Sequence, residues 1–461
     1  MSTPVTDSLE THQPIEDIAE LAAWLEKGCK PRERWRIGTE HEKFGFLTDC
    51  YSPLPYDGQR GVRRVLNHLR DRFGWEPVME GDTIIGLREP SARGGAISLE
   101  PGGQFELSGA PLATLHQTCD EVQSHLCQLR EIGRELDVGF LGLGFSPKWT
   151  LPQISIMPKA RYAIMRRYMQ KVGSRGLDMM FRSCTVQVNL DFSSEADMTR
   201  KMRVGLALQP VVTAIFANSP FMEGQPSGFL SLRSDIWRHT DADRTGLLPF
   251  VFEEGFGFEA YARYALDVPM YFARRDGVYH DVSGQSFRDF IAGKLPGLPG
   301  ERATIGDWED HLTTLFPEVR LKRFIEMRGT DGAPWRGLCA LPALWVGLLY
   351  DEAALDAAWD LVKGWSEEER HDLRAEVPRT ALDTRFRAGS VLDVAREMVA
   401  IAGSGLKARA RRDPFGGDES HFLGAIEEIV ESGRTLAQDL LTLYREQWHG
   451  DIDRIFSECA Y

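Results

Sequence analysis

The stretch "RIGTEHEKFGF", Arg36 to Phe46, sets Glu40 and Glu42 one residue apart in a segment that otherwise reads as a β-strand. Successive side chains of a strand point to opposite faces, so Gly38, Glu40, Glu42, Phe44 and Phe46 share one side and Ile37, Thr39, His41 and Lys43 the other. Two carboxylates in an apolar setting repel each other and are costly to desolvate. A bound cation resolves both problems, although a solvated strand edge would accept the same acids.

The pattern recurs twice. In "SLEPGGQFELSG" Glu100 precedes the turn-prone Pro101, Gly102 and Gly103, after which Gln104 and Glu106 project to one face and Phe105 and Leu107 to the other. In "RFIEMRG" Glu326 and Arg328 again share a face. Acids converging from three strands make an oxygen-rich site suited to Mg²⁺, and an arginine beside them can neutralise a polyphosphate. The sequence has no Walker A motif, and "GLGF" is not a dinucleotide fingerprint. A nucleotide would therefore be held by metal ions and arginine more than by a phosphate-binding loop.

Arginine is the second theme. "MPKARYAIMRRYM" interleaves Lys159, Arg161, Arg166 and Arg167 with Tyr162 and Tyr168, and "LSLRSDIWRHTDADRTG" supplies Arg233, Arg238 and Arg244 with Trp237. Arginine binds carboxylates and phosphates bidentately, and stacking on an aromatic ring fixes its plane. The same mixtures also occur on solvated helix faces with snorkelling stems. Nucleophilic hydrolysis is poorly supported, because there is no G-x-S-x-G elbow and none of the 11 histidines sits in an HExxH or triad context. Cys184, inside a strand, reads as core.

The elements that must position these residues begin with a helix in "PIEDIAELAAWLEKG" (14–28), which leads into the acidic strand. Strands follow in "DTIIGLREP" and "AISLEPGGQFELSG", then a long amphipathic helix in "PLATLHQTCDEVQSHLCQLREIGREL". Further strands are expected over 138–145, 184–192, 269–274 and 323–329, and a helix in "SEADMTRKMRVGLALQPVVTAIFAN". From about Glu352 the pattern is almost wholly helical, with 404–420 read as a basic loop. This order lacks strict βαβα alternation and predicts an α+β fold, a mainly antiparallel sheet packed by helices with a helical C-terminal portion. Residues 1–13 are expected to be loosely ordered and 14–461 to form one domain, sheet-rich over 30–350 and helical over 351–461.

Bulk properties limit the function classes. The chain has 461 residues, 43% hydrophobic and 26% charged, as an ordinary globular protein does. No run of about 18 apolar residues appears, and "LCALPALWVGLLYD", broken by Pro342, reads as buried core. With 54 Lys plus Arg against 68 Asp plus Glu, the net charge of −14 argues against a nucleic-acid surface. The N-terminal composition, without an apolar core or an Arg-rich leader, points to the cytoplasm. None of the seven cysteines forms a CxxC pair, so a structural zinc site is not expected and the thiols read as mostly reduced.

Taken together, "IGTEHEKFGF", "LEPGGQFELSG", "TVQVNLDFSSEADM", "ANSPF", "SLRSDIW", "ALDVPMYF" and "FPEVRLKRFIEMRGTDG" resemble glutamate–cysteine ligase of the plant type, which also occurs in proteobacteria. The resemblance runs from about residue 14 to the C-terminus. It implies a glutamine-synthetase-like catalytic fold and ATP-dependent joining of L-glutamate to L-cysteine through γ-glutamyl phosphate, the first step of glutathione synthesis. By motif it implies Mg²⁺ at Glu40, Glu42, Glu100, Glu106 and Glu326, with Arg328 facing the γ-phosphate and Lys159 near the nucleotide. It places Arg233 and Trp237 at glutamate, and Tyr162, Arg166 and Tyr168 near the amino-acid substrates. Glu326 and Arg328 are the implied catalytic pair. Partners on this basis are L-glutamate, L-cysteine and ATP, with feedback binding of glutathione, no nucleic acid and no membrane, for a monomer or weak homodimer.

Plant members are redox-regulated through two disulfides. Cys119 and Cys339 stand at one pair of those positions, whereas Val282 and Gly297 stand where the other pair is expected, so the second bridge cannot form. Rival readings are a related enzyme with another amine acceptor, a guanidino-phosphotransferase, and a non-catalytic Ca²⁺-binding protein. The strand setting of the acids disfavours the last, since Ca²⁺ favours flexible loops.

Overall fold

The computed structural model describes residues 12–90 and 94–461; the expected loose order of the N-terminal residues 1–13 lies, for residues 1–11, outside the described residues. The Gln13 carbonyl accepts from the Ile305 backbone N–H at 3.2 Å. The α1 helix (Ile18–Glu26) starts at a capping box in which Asp17 and Glu20 satisfy each other's backbone N–H groups. It buries Leu21, Trp24 and Leu25 and delivers the chain into β1 (Ile37–Leu47).

β1 is the hinge of the architecture. After α2 (Val62–Phe73) come β2 (Glu76–Glu80), β3 (Thr83–Arg88), β4 (Ala96–Leu99), β5 (Phe105–Ser108), α3 (Leu115–Leu136) and β6 (Val138–Leu141). α4 (Ala160–Val172), α5 (Gly176–Arg182), β7 (Val186–Leu190), α6 (Glu195–Ile215) and α7 (Leu232–Arg238) follow. The sheet runs from the strand Val319–Leu321 through Ile325–Met327 to β7, β1, β5, β4, β3 and β2, every neighbour antiparallel, with β6 pairing the C-terminal half of β1. β2 and Val319–Leu321 carry no readable alternation in the sequence and were not expected. The strand expected over 269–274 is instead half of a separate hairpin, Phe272–Arg275 with Val278–Asp281. The segment 404–420 is loop only after Arg409, where the helix Val391–Arg409 ends at Ala410 in the left-handed region.

Register separates the two sheet faces. Residues directly opposite on antiparallel strands share a face. One face carries the rung Ser98–Glu106–Glu42, the rung Ser108–Glu40–Gln187 and the rung Gly38–Asn189–Glu326–Arg320. The other carries Ile97–Leu107–His41–Val186 and Ile37–Leu190–Ile325. α3 and the helix Trp335–Leu349 pack beneath this second face and bury Val122, Leu126, Leu341 and Trp345 against it. Phe44 and Phe46 leave the acidic stretch and join Leu141, Trp149 and Phe456 in a separate core at the strand's end.

The helix Trp335–Leu349 is buried from Gly337 onward, Pro342 included, as its composition suggests, and no single helix among the described residues is long and apolar enough to cross a membrane. Cys119 of α3 and Cys339 of this helix are bonded, with Cα atoms 5.7 Å apart, so the thiols are not all reduced. Val282 and Gly297 also meet: a Cβ on Gly297 would lie 2.7 Å from Val282 Cγ1.

Candidate active site

Above the polar face lies a cleft lined by Glu42, Glu100, Gln104, Arg161, Arg233 and Arg328, with Trp237, Tyr162, Thr314 and Met180 among its other walls. Three strand segments bring the acids there. Glu42 of β1 faces Glu106 of β5 in register, and Glu100 directly follows β4 at the turn before β5. One carboxylate oxygen from each of Glu42, Glu100 and Glu106 lies within 4.8 Å of the others. The turn itself needs glycine. Gly103 has φ +84°, and a Cβ on Gly102 would meet the Phe181 carbonyl oxygen at 2.4 Å. Gln104 closes it, accepting from the Gly102 N–H at 2.8 Å and donating to the Met180 and Ser183 carbonyls at 3.1 and 2.9 Å.

Burial and the crowding of three acids raise two of them, Glu42 and Glu100. Burial, together with the charges of Glu100 and Glu106, pushes the Glu42 carboxyl well above the ordinary range. Burial and then the Glu106 charge raise Glu100 to about 7. Glu100 Oε1 is buried without a hydrogen-bond partner, while Glu106 accepts from Ser98 Oγ at 2.6 Å and Ser108 Oγ at 2.9 Å. A hard divalent cation fits this all-oxygen donor set and would remove the repulsion.

Glu40 and Glu326 share the face but stand in a basic setting. Glu40 accepts from Asn189 Nδ2 at 2.8 Å. Glu326 is fully buried and pairs with Arg320, with Lys322 at 2.8 Å and with Arg328 at 3.5 Å. Burial alone would raise its carboxyl, but the charges of Arg320, Lys322 and Arg328 hold it well below the ordinary range. Arg328 in turn donates to Gln187 Oε1 at 2.7 Å, and burial beside Arg320 lowers its guanidinium to about 10.

The arginine-rich segments divide. Arg233 and Trp237 of α7 line the cleft together, with the guanidinium carbon 5.5 Å from the ring centroid, and Arg233 Nε and Trp237 Nε1 are buried without partners. Of α4, Arg161, Tyr162 and Met165 line the cleft. The expected Arg166 is exposed beside Phe181, and Tyr168 is buried against Tyr271, neither among the lining residues. Lys159 also stands outside the lining: its ammonium donates to the Leu99 carbonyl at 2.9 Å, and the Tyr162 hydroxyl donates to the same oxygen at 2.5 Å. These two side chains therefore brace the residue before Glu100. Sequence reasoning named Arg161 and Gln104 but gave them no role, and passed over Gln187, Arg320 and Thr185.

The fold matches a crystal structure of glutamate–cysteine ligase from Francisella tularensis in complex with AMP, with TM-score 0.53 and 13% identity over 92% of this chain and 88% of that one. It also matches a bifunctional glutathione synthetase from Pasteurella multocida, with TM-score 0.53 and 14% identity over 96% of this chain and 53% of that one. The architecture is that of the carboxylate–amine ligases. The model of glutamate–cysteine ligase family 2 matches residues 36–458, and the chain belongs to that family. It is 57% identical to glutamate–cysteine ligase B, chloroplastic, of Oryza sativa subsp. japonica, over all of this chain and 90% of the relative. It is 56% identical to the chloroplastic glutamate–cysteine ligase of Arabidopsis thaliana, over all of this chain and 86% of the relative. The expected cytoplasmic location is corrected by these relatives, which are chloroplastic proteins. It rested on N-terminal composition alone.

Proposed function

We propose that this cleft joins the γ-carboxylate of L-glutamate to the α-amine of L-cysteine at the expense of ATP, giving γ-glutamylcysteine, ADP and phosphate for glutathione synthesis. The observation that carries the reading is the convergence of Glu42, Glu100 and Glu106, the first two on the wall of a cleft whose other walls hold Arg161, Arg233 and Arg328. Glu42, Glu100 and Glu106 would hold Mg²⁺, which supplies charge neutralisation for a bound triphosphate. Glu40 and Glu326, on the same face, complete the acidic surface, with Glu326 fixing Arg328.

A carboxylate is a poor acyl donor at neutral pH, so activation comes first. An oxygen of the glutamate γ-carboxylate attacks the γ-phosphorus in line, the bond to the β-phosphate oxygen breaks, and ADP leaves. Arg328, on the cleft wall, would meet the charge on the transferring phosphoryl group. Arg233 receives the substrate carboxylate, with its plane supported by Trp237. The cysteine amine then attacks the acyl carbon, the tetrahedral intermediate expels phosphate, and the amine gives up a proton. Tyr162 and Lys159 hold the Leu99 carbonyl and so set the position of Glu100.

The test is direct. Purified protein with Mg²⁺, ATP, glutamate and cysteine releases ADP only when both amino acids are present. ADP release at the same rate without glutamate would reject the reading. Replacing cysteine with other amines separates a ligase of different acceptor from a phosphotransferase, which makes no amide.

A further inference from the structure

We infer that Asp331 is a positioning residue for Arg233, coupling the helix that presents Arg233 to the strand end that presents Arg328. The inference rests on the reading of Arg233 as the arginine that receives glutamate. Asp331 lies three residues beyond Arg328, is fully buried, and does not line the cleft. Its Oδ2 accepts from the Asn218 backbone N–H at 2.8 Å and from Ser219 Oγ at 2.7 Å. Its Oδ1 accepts from Ser231 Oγ at 2.8 Å.

Each of the two hydroxyls passes the constraint on. Ser219 Oγ accepts from the Arg233 backbone N–H at 3.2 Å. Ser231 is the N-cap of α7, and its Oγ accepts from the Ser234 N–H at 3.4 Å. The first turn of α7, with Arg233 in it, is therefore held through two serines by one carboxylate. The other end of the arginine is tied to the same strand end, since Arg233 Nη2 donates to the Arg328 carbonyl at 3.0 Å. Of the charged groups around the buried guanidinium, Asp331 exerts the strongest attraction.

The slot admits little else. A Cβ on Gly144 would lie 2.3 Å from Asp331 Cγ, so the backbone closes over the carboxylate and no longer side chain fits. Asparagine fits by shape. Its oxygen can face the Asn218 N–H and Ser219, while its amide donates to Ser231 Oγ, whose hydroxyl can turn to accept. Asp331→Asn thus keeps the contacts and removes the charge that orients Arg233.

The experiment is steady-state kinetics on Asp331→Asn, Arg233→Ala and the double variant, with melting temperatures alongside. The expected result is a KM for glutamate raised about 10- to 100-fold by Asp331→Asn, with KM for ATP within about twofold and the melting temperature little changed. The double variant should then be no worse than Arg233→Ala alone, because the two residues act through one guanidinium. Additive losses, or parallel losses in every kinetic constant with a lowered melting temperature, overturn the inference and leave Asp331 purely structural. Should Asp331→Asn fail to fold, Ser231→Ala removes one of the three bonds and must raise KM for glutamate in the same direction; an unchanged KM overturns the inference too. Failure of the underlying reading looks different: Arg233→Ala alone would then leave KM for glutamate unchanged.

Discussion

Glu42 and Glu106 stand directly opposite each other on neighbouring antiparallel strands, side chains on the same face, with Glu100 closing the triangle to within 4.8 Å. Like charges in that arrangement destabilise the fold unless a cation joins them. Adding Mg²⁺ should therefore raise the melting temperature above its value in chelator. Glu106→Gln should abolish most of that rise, lower activity by about 100-fold or more, and leave the metal-free protein within about 1 kcal/mol of the parent. An unchanged Mg²⁺ shift in the variant would place the cation elsewhere.

Glu326 behaves differently, although it shares the sheet face. It forms ion pairs with both Arg320 and Lys322 and is fully buried. Removing one member of a buried ionic group leaves uncompensated charge, at a cost of about 3–5 kcal/mol. Glu326→Gln should thus lower the urea midpoint as well as turnover, and Arg320→Gln in the same chain should restore part of the stability. Unchanged urea midpoints with lost turnover would instead make Glu326 a ligand with no structural share.

The parts of the site legible in the sequence are those set by local periodicity. Strand alternation separates Glu40, Glu42 and Glu106 from His41, Phe105 and Leu107 without knowledge of the fold, and the registers agree. Arg320 was not legible, because a three-residue strand, Val319–Leu321, offers no alternation to read. Nor was the choice between Arg161 and Arg166: both lie on α4, and its bounds and buried side decide that Arg161, Tyr162 and Met165 face the cleft. The Cys119–Cys339 bond joins residues 220 apart, a separation that carries no local signal, and only the family resemblance pointed to it. Asp331 was overlooked since a lone acid in "GTDG" reads as a turn residue.

Acid should weaken the protein through His311. Burial lowers this imidazole to about 4 from an ordinary 6.5, and the ring bonds the Ala265 carbonyl at 2.8 Å. The folded state stays neutral where the unfolded chain takes up a proton. Its contribution is therefore fully present above pH 6.5 and is lost as pH falls from 6.5 to 4. The full difference is about 3 kcal/mol. His311 lies in the helix Ile305–Leu312, just before Thr313 and Thr314 of the cleft wall, so activity should fade over the same window. Urea unfolding at about pH 4.5 and 7.5 checks this: His311→Gln should show a smaller difference between the two than the parent does.

Reduction should cost stability and spare the chemistry. Cys119 and Cys339 tie α3 to the helix Trp335–Leu349 on the side of the sheet away from the cleft, closing a separation of 220 residues. Cross-linking so long a loop limits the unfolded chain and contributes about 2–5 kcal/mol. Cys119→Ser should lower the urea midpoint accordingly, while kcat at 25 °C changes by less than about twofold, because neither half-cystine lines the cleft. Equal midpoints for the oxidised parent and the variant would mean that the bond adds nothing. A large loss of kcat with equal stability would show instead that the bond acts through the sheet on the acids of its far face.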